Sequence, residues 1–450
     1  MKLYKKYLSK FLNQYNGILS NKININYEKL GEICTDTRKL KKNDIFIALS
    51  GENFNGNTFV QKAFQEGAAF CISEVINSNS IHVKSTLDFI QKFSAFILQQ
   101  EDRIFKIGIT GTNGKTSTKE IMASVLGQKF IVHKTQGNNN NNIGLPLTIL
   151  DLNESVEVLI LEMGTNSPGE IEALSNIARP NLSVITNIGK GHTLYLKNES
   201  EILKEKFNIT KFFGPENFLI FNADNKLLAR KCNDLKFKKM SFSITTDSDT
   251  KGEEISDSYN EFSITINKEK IKIKIKAPGI NNVYNSLAVI ASAKTLNIEP
   301  GLIKKGLEEY DGISNRFNIK QTGTNFIIND SYNANPNSMK TAIEMTNAIF
   351  PKLNKIAILG DMLELGDIEK NEHQKIGELL CSKKFNQAYI YGRNCNSYLR
   401  GINQKISTTI LANHSDISNY LDLKKIDNTV ILIKGSRGSK MEKILEFLEI

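Results

Sequence analysis

The sequence predicts an α/β protein of three domains in series, with a central parallel sheet flanked by a smaller N-terminal α/β domain and a C-terminal Rossmann-like α/β domain. Two observations predict it. Short apolar runs ending in polar turns alternate with helix-length segments through the middle and last thirds of the chain, the pattern of parallel βαβ units. The turn Gly108-Ile-Thr-Gly-Thr-Asn-Gly-Lys-Thr-Ser117 stands between an apolar run over 104–109 and a helical segment over 116–126. At 450 residues the chain has room for about three domains, each with its own core. The expected boundaries are 1–102, 103–314 and 315–450.

Taken in order, residues 1–100 carry short signals: a strand over 44–49, a helix over 59–67 and a strand over 68–73. Glu101-Asp-Arg103 marks the first boundary. Strand, glycine turn and helix then follow directly. Residues 156–162 form an apolar strand ending in Glu162, 168–177 a helix, and 182–188 another buried strand. Between 237 and 277 the pattern changes to alternating Lys/Ile and Ser/Ile, as in Ile271-Lys-Ile-Lys-Ile-Lys276, which predicts a half-exposed antiparallel segment. Strands return over 326–329, 355–359, 388–391 and 430–433, with helices between.

Composition narrows the class. Hydrophobic residues at 40% and charged residues at 24% are ordinary globular values. No apolar run is long enough to span a bilayer, and Met1-Lys-Leu-Tyr-Lys-Lys6 lacks the apolar stretch of a signal peptide. Five scattered cysteines form no CxxC pair, which predicts a reduced, cytoplasmic protein without structural zinc. The net charge of +10 comes from dispersed lysines rather than a basic stripe, so nucleic acid is not an expected partner. Asn138 to Asn142 reads as drift toward Lys, Asn and Ile.

The glycine turn carries the strongest chemistry. Gly111, Thr112, Asn113 and Gly114 can close backbone N–H groups on phosphate oxygens, and the helix N-terminus adds its dipole. Lys115 would reach the β/γ-phosphates, Thr116 would ligate Mg²⁺, and Ser117 completes the turn. Ile109 stands where G-x-x-x-x-G-K-[ST] has its first glycine, so the match is by context. Glu162, at a strand's end, suits nucleotide-bound Mg²⁺, or is a solvated strand end. His192 leaves a strand through Gly189-Lys-Gly191, as a ligand or a surface residue. On a helix over 199–213, Lys206 shares a face with Ile202, Leu203, Ile209 and Phe213, whereas Lys204 points away. An inward lysine is costly unless paired or modified, or else its stem snorkels to solvent. Three further segments follow strands: Asn329-Asp-Ser-Tyr-Asn-Ala-Asn-Pro-Asn-Ser-Met339, Leu359-Gly-Asp-Met-Leu-Glu-Leu-Gly366 and Ile433-Lys-Gly-Ser-Arg-Gly-Ser-Lys-Met441. Each is a structural turn at least.

Together with Asp36-Thr-Arg38, Asn43-Asp-Ile-Phe-Ile-Ala-Leu-Ser-Gly51 and Glu162-Met-Gly-Thr-Asn166, this ordered set resembles the Mur ligases, ATP-dependent amide-forming enzymes of peptidoglycan precursor synthesis. The resemblance covers nearly the whole chain, and segments 330–339 and 359–366 are those of the dipeptide-adding branch. It implies a mononucleotide-binding central domain, an N-terminal domain for the UDP-sugar, and a C-terminal domain that binds the incoming dipeptide and closes over ATP. It implies UDP-N-acetylmuramoyl-tripeptide and D-alanyl-D-alanine as substrates, two Mg²⁺ ions and a monomer. Lys115 and Thr116 would hold the triphosphate and one Mg²⁺ with Glu162. His192 would ligate the second ion with a carbamylated Lys206. Asn282 would hold the adenine, Arg316 the phosphates and Asp330 the ribose. Asp36, Thr37 and Arg38 would meet the UDP-sugar, and Tyr332, Asn333 and Asn335 the dipeptide. One departure is Gly279-Ile-Asn-Asn282, where the family has Gly-x-His-Asn. A sibling ligase for a single amino acid, a folylpolyglutamate synthase, a non-catalytic precursor-binding relative and a nucleic-acid-binding ATPase are the competing readings.

Overall fold

The computed structural model describes residues 1–21, 24–51, 54–77, 79–190, 196, 198–233 and 235–448. Three sheets follow one another along the chain. The first has five strands in the order Ile18–Asn21, Ser80–Val83, Phe70–Ser73, Ile45–Ile47, Ile33–Cys34, parallel except for the first. The second has seven strands, all parallel: Thr250–Lys251, Lys238–Ser243, Phe218–Asn222, Leu182–Ile185, Phe105–Thr110, Val158–Glu162, Val132–Lys134. The third has six, in the order Asn318–Thr322, Asn325–Asp330, Thr429–Lys434, Asn354–Leu359, Gln387–Tyr391, Ser407–Leu411, with only the first antiparallel to its neighbour.

Two features of this topology position a site. In the second sheet the chain runs from Phe105–Thr110 outward to one side, then returns to build the other. The crevice beyond Thr110 is therefore a topological switch point, where open α/β sheets bind ligands. In the third sheet Asp330, Leu359 and Lys434 lie in register on adjacent parallel strands. Segments about a hundred residues apart thus emerge side by side.

The structure departs from expectation in four places. The N-terminal part keeps only a small core of its own, Phe46, Ala48, Val60, Ala63 and Cys71; its main buried cluster is shared, running from Leu3 and Phe93 through Leu145 and Leu174 to Cys232. The helix Thr86–Gln100 is apolar on more than one side, and its surplus faces pack on the helices covering the second sheet. Within the expected antiparallel region, only Glu261–Ile266 and Glu269–Lys274 pair as a hairpin. Lys238–Ser243 instead extends the parallel sheet beside Phe218–Asn222. It lies toward the sheet's end and is exposed over its first residues, so its polar-apolar alternation looks the same as a hairpin's. The strand expected over 182–188 stops at Ile185, because the next residues turn to bond the glycine loop: Thr112 N–H donates to the Asn187 carbonyl and Thr186 Oγ1 to that of Asn113. The helix from Glu199 likewise ends at Phe207, in a 3₁₀ turn over Asn208–Thr210.

All five cysteines are free thiols. Among the described residues no helix is long and apolar enough to cross a membrane.

Candidate functional site

The glycine turn joins Phe105–Thr110 to the helix Lys115–Leu126. Two of its glycines are required by geometry. Gly111 has φ +149° and a Cβ there would lie 1.9 Å from Thr186 Oγ1; Gly114 has φ +83° and its Cβ would lie 2.6 Å from Asn285 Oδ1. Lys115 folds back on the loop, donating to the carbonyls of Gly111 (2.8 Å) and Thr112 (3.3 Å). Burial lowers its pKa, with Glu162 opposing and Arg316 adding to the shift. An arriving triphosphate would offer this ammonium a stronger partner than two carbonyls.

A cavity of about 460 Å³ opens over this turn. Thr112 to Ser117, Glu162, Asn282, Arg316, Asp330, Tyr332, Asn333 and Asn335 all line it, so most of the expected site residues are gathered there from two sheets. The Asn138–Asn142 run is part of the site rather than drift. Asn140 Nδ2 donates to Glu162 Oε1 at 2.8 Å, and the Asn141 side chain accepts from Gly144 N–H at the start of a helix. Nothing local in a polar run reveals such contacts.

Glu162 is buried at its strand's end, and among the described residues its Oε2 has no hydrogen-bond partner. Lys119, also missed, is fully buried; its amine donates to the Thr135 carbonyl at 2.7 Å and stands 4.0 Å from Glu162 Oε2. A buried carboxylate oxygen beside a glycine turn, with an amine 4.0 Å away and no hydrogen-bond donor among the described residues, would suit a cation. Thr116 Oγ1 accepts from Arg316 Nη2 at 3.0 Å. Lys206 is buried on the inward face while Lys204 is exposed. Its amine makes no hydrogen bond or ion pair among the described residues, and its pKa is held well below the ordinary lysine value by burial and then by Lys115. The neighbouring Glu205, also buried, accepts from the N–H groups of Gly169 (2.7 Å) and Ile171 (2.8 Å), capping the helix Glu170–Ala178. His192 lies outside the described residues. Two positions before it, Lys190 pairs with Glu372 of the third sheet's layer at 3.2 Å.

Three expected contacts are already engaged. Asp330 Oδ2 pairs with the buried Lys434 amine at 2.6 Å and Oδ1 accepts from Phe317 N–H. Asn335 caps the helix Pro336–Ile349 by accepting from Ser338 N–H, and its Nδ2 donates to Asn113 Oδ1 at 2.7 Å. It therefore joins the two sheets' layers rather than pointing to an open dipeptide site. Asn282 Nδ2 donates to the carbonyls of Ala277 and Pro278. Asp361 of the segment 359–366 does not face the cavity: its carboxylate accepts from the Arg393 and Asn394 N–H groups. Met362 N–H donates to Nε2 of the buried His373.

A second cavity of about 380 Å³ adjoins the turn, lined by Asn187, Asn222, Asp224, Tyr284 and Asn285. Asp224 accepts from the N–H groups of Ile244, Thr245 and Thr246 and from the Tyr284 hydroxyl. Burial opposes this, but the donors prevail and hold its carboxyl far below the ordinary value. Stability from a carboxylate so depressed is present above the unfolded pKa near 4 and is lost as pH falls below it. Asp224→Asn should cost about 2–3 kcal/mol at pH 7. Urea titrations should show that difference shrinking below about pH 4.

Asp36, Thr37 and Arg38 line a separate cavity of about 480 Å³ with Phe54, Phe59 and Lys62. Arg38 donates to both Asp36 oxygens and holds that carboxyl at about 2. Phe54 and Phe59, stacked at 5.7 Å and partly exposed, were not singled out by sequence.

Comparison with known proteins follows this division. The Mur ligase middle domain model matches residues 109–293 and the Mur ligase, glutamate ligase domain model residues 315–437. UDP-N-acetylmuramoyl-tripeptide–D-alanyl-D-alanine ligase of Bacillus subtilis (strain 168) is 34% identical, covering 99% of both chains. MurF from Acinetobacter baumannii superposes with a TM-score of 0.86 at 28% identity, covering 93% of each chain. MurF from Thermotoga maritima in complex with ADP gives 0.83 at 26% identity, covering 93% of this chain and 96% of that one.

Proposed function

The chain belongs to the Mur ligase family, and we propose that within it the protein joins D-alanyl-D-alanine to UDP-N-acetylmuramoyl-tripeptide, with cleavage of ATP. The observation that carries this reading is the single cavity in which the glycine turn meets the 330–339 segment, joined through Asn113 and Asn335. It is an ATP-using ligase. The tripeptide's terminal carboxylate attacks the γ-phosphorus, ADP leaves, and an acyl phosphate results. The dipeptide amine then attacks the acyl carbon, its proton is lost, and phosphate departs.

The residues divide this work. Lys115 and the turn's N–H groups cradle the phosphates, and Arg316 brings positive charge from the C-terminal side. Thr116 and Glu162 would hold one Mg²⁺, and His192 with a carbamylated Lys206 the second; the unpartnered Glu162 Oε2 supports the first placement. Bound there, the ions would neutralise phosphate charge. Carbamylation suits Lys206 chemically. Burial and Lys115 hold its pKa well below the ordinary lysine value, which favours the neutral amine that adds CO₂ to give an anionic carbamate and a proton. Residues 1–102 would receive the UDP-sugar at the Asp36–Arg38 cavity, 103–314 ATP, and 315–450 the dipeptide. The placement is cytoplasmic, and one chain supplies every residue named, as in a monomer.

ADP release with ATP, Mg²⁺ and UDP-N-acetylmuramoyl-tripeptide tests this. Turnover is expected with D-alanyl-D-alanine and not with single amino acids or no amine. Turnover with a single amino acid would assign the chain to a sibling activity.

A further inference from the structure

Two arginines approach the Tyr332 ring. The Arg316 guanidinium lies 4.1 Å from the ring centroid and Arg437's lies 5.9 Å from the same centroid, so the two are within about 10 Å of each other. Arg316 reaches back to the phosphate turn. Arg437 has no place in the ATP cavity, yet its backbone is fixed with unusual care. Its N–H donates to Asn333 Oδ1 at 3.3 Å. The preceding Ser436 donates through Oγ to the Ala334 carbonyl, accepts from Leu363 N–H, and donates through its own N–H to the Asp361 carbonyl. Both segments that mark the dipeptide-adding branch thus converge on this one turn. The side chain is 63% exposed, and Nη1 donates to Glu442 Oε1 at 2.9 Å. Its other donors have no partner among the described residues. An oriented, open guanidinium is a carboxylate receptor.

We propose that Arg437 binds the C-terminal carboxylate of the incoming dipeptide and so selects substrate length. This rests on the ligase reading above. The acyl carbon forms at the γ-phosphate end of ATP, where Arg316 reaches the phosphate turn, and the amine must reach it there. One extended residue spans about 3.3–3.6 Å. A dipeptide's carboxylate therefore lies some two residue lengths beyond the reacting amine, a span that fits within the distance between the two guanidiniums. A single amino acid's carboxylate stops about one residue length short, beyond hydrogen-bond distance.

The test compares D-alanyl-D-alanine with its C-terminal amide in wild type, Arg437→Gln and Arg437→Lys, with unfolding temperatures recorded alongside. Wild type should favour the acid roughly tenfold to a hundredfold in kcat/KM. Arg437→Gln should raise the dipeptide KM by a similar factor, leave KM for ATP and the UDP-substrate within about twofold, and abolish the preference for acid over amide. Arg437→Lys, with a charge but no fork, should keep part of it. A persisting preference in Arg437→Gln, or an equal loss for both dipeptides with altered KM for ATP, would overturn the assignment. If wild type releases no ADP with either dipeptide, the ligase reading itself fails, and this one with it.

Discussion

Lys206→Met is expected to lower kcat at least a hundredfold while leaving the unfolding temperature unchanged or higher. The two halves of that result have one cause. An amine buried with no hydrogen-bond or ion-pair partner among the described residues opposes folding, because burial disfavours its charged form, and methionine keeps the volume without a titratable group. If the amine's only use is to carry a carbamate, removing it improves the fold and destroys the site. Lys206→Ala should lose activity equally but leave space, so that short carboxylic acids in the buffer restore part of it. Wild-type protein equilibrated with ¹³C-bicarbonate should show a carbamate carbon signal that both variants lack. The pH dependence has a definite sign. Because the folded pKa is depressed, the unfolded chain binds the extra proton, and this group's contribution to stability rises with pH up to the unfolded value near 10.4. Carbamate formation also consumes the neutral amine and releases a proton, so activity at fixed CO₂ should rise with pH in the same direction. Near-normal turnover in Lys206→Met would end the carbamate reading.

What was legible in the sequence had local causes. The glycine turn announces itself because strand, loop and helix are contiguous, and the inward face of Lys206 follows from helical spacing alone. What was hidden depends on contacts across parallel strands. Asp330 and Lys434 pair across 104 positions, and Lys119 reaches Thr135 and Glu162 from the far side of its helix. No short window of sequence contains Asp330 with Lys434 or Lys119 with Glu162. Asn335 shows another limit of residue type: an asparagine suits a substrate contact and a helix cap equally well, and here it caps its helix and bonds Asn113 while also lining the cavity. The Lys238–Ser243 strand failed for a different reason, since a partly exposed strand alternates whether its neighbour is parallel or not.

Arg316→Ala should lower kcat roughly a thousandfold with a smaller change in KM for ATP, because the guanidinium completes a phosphate site that the turn begins. Its position argues for a role late in the reaction. Arg316 comes from the segment leading into the third sheet, yet Nη2 donates to Thr116 Oγ1 beside Lys115 of the glycine turn. It lies over the Tyr332 ring, and its Nε is buried with no acceptor among the described residues. A buried donor left open at a phosphate turn is unfavourable until an anion arrives. The γ-phosphoryl group gains contact as charge spreads over it during transfer, and so supplies that acceptor. Asn113–Asn335 and Lys190–Glu372 make the other bonds across the same junction, so the alanine variant should still close over ATP. Arg316→Lys should remain at least tenfold impaired, since an ammonium cannot stack on Tyr332 and bridge Thr116 to phosphate through a planar fork. Steady-state ADP release together with the affinity for a non-hydrolysable ATP analogue separates the outcomes. A normal kcat with a raised analogue Kd would mean that Arg316 only holds the nucleotide; a lowered kcat with near-normal Kd places its charge in the transition state.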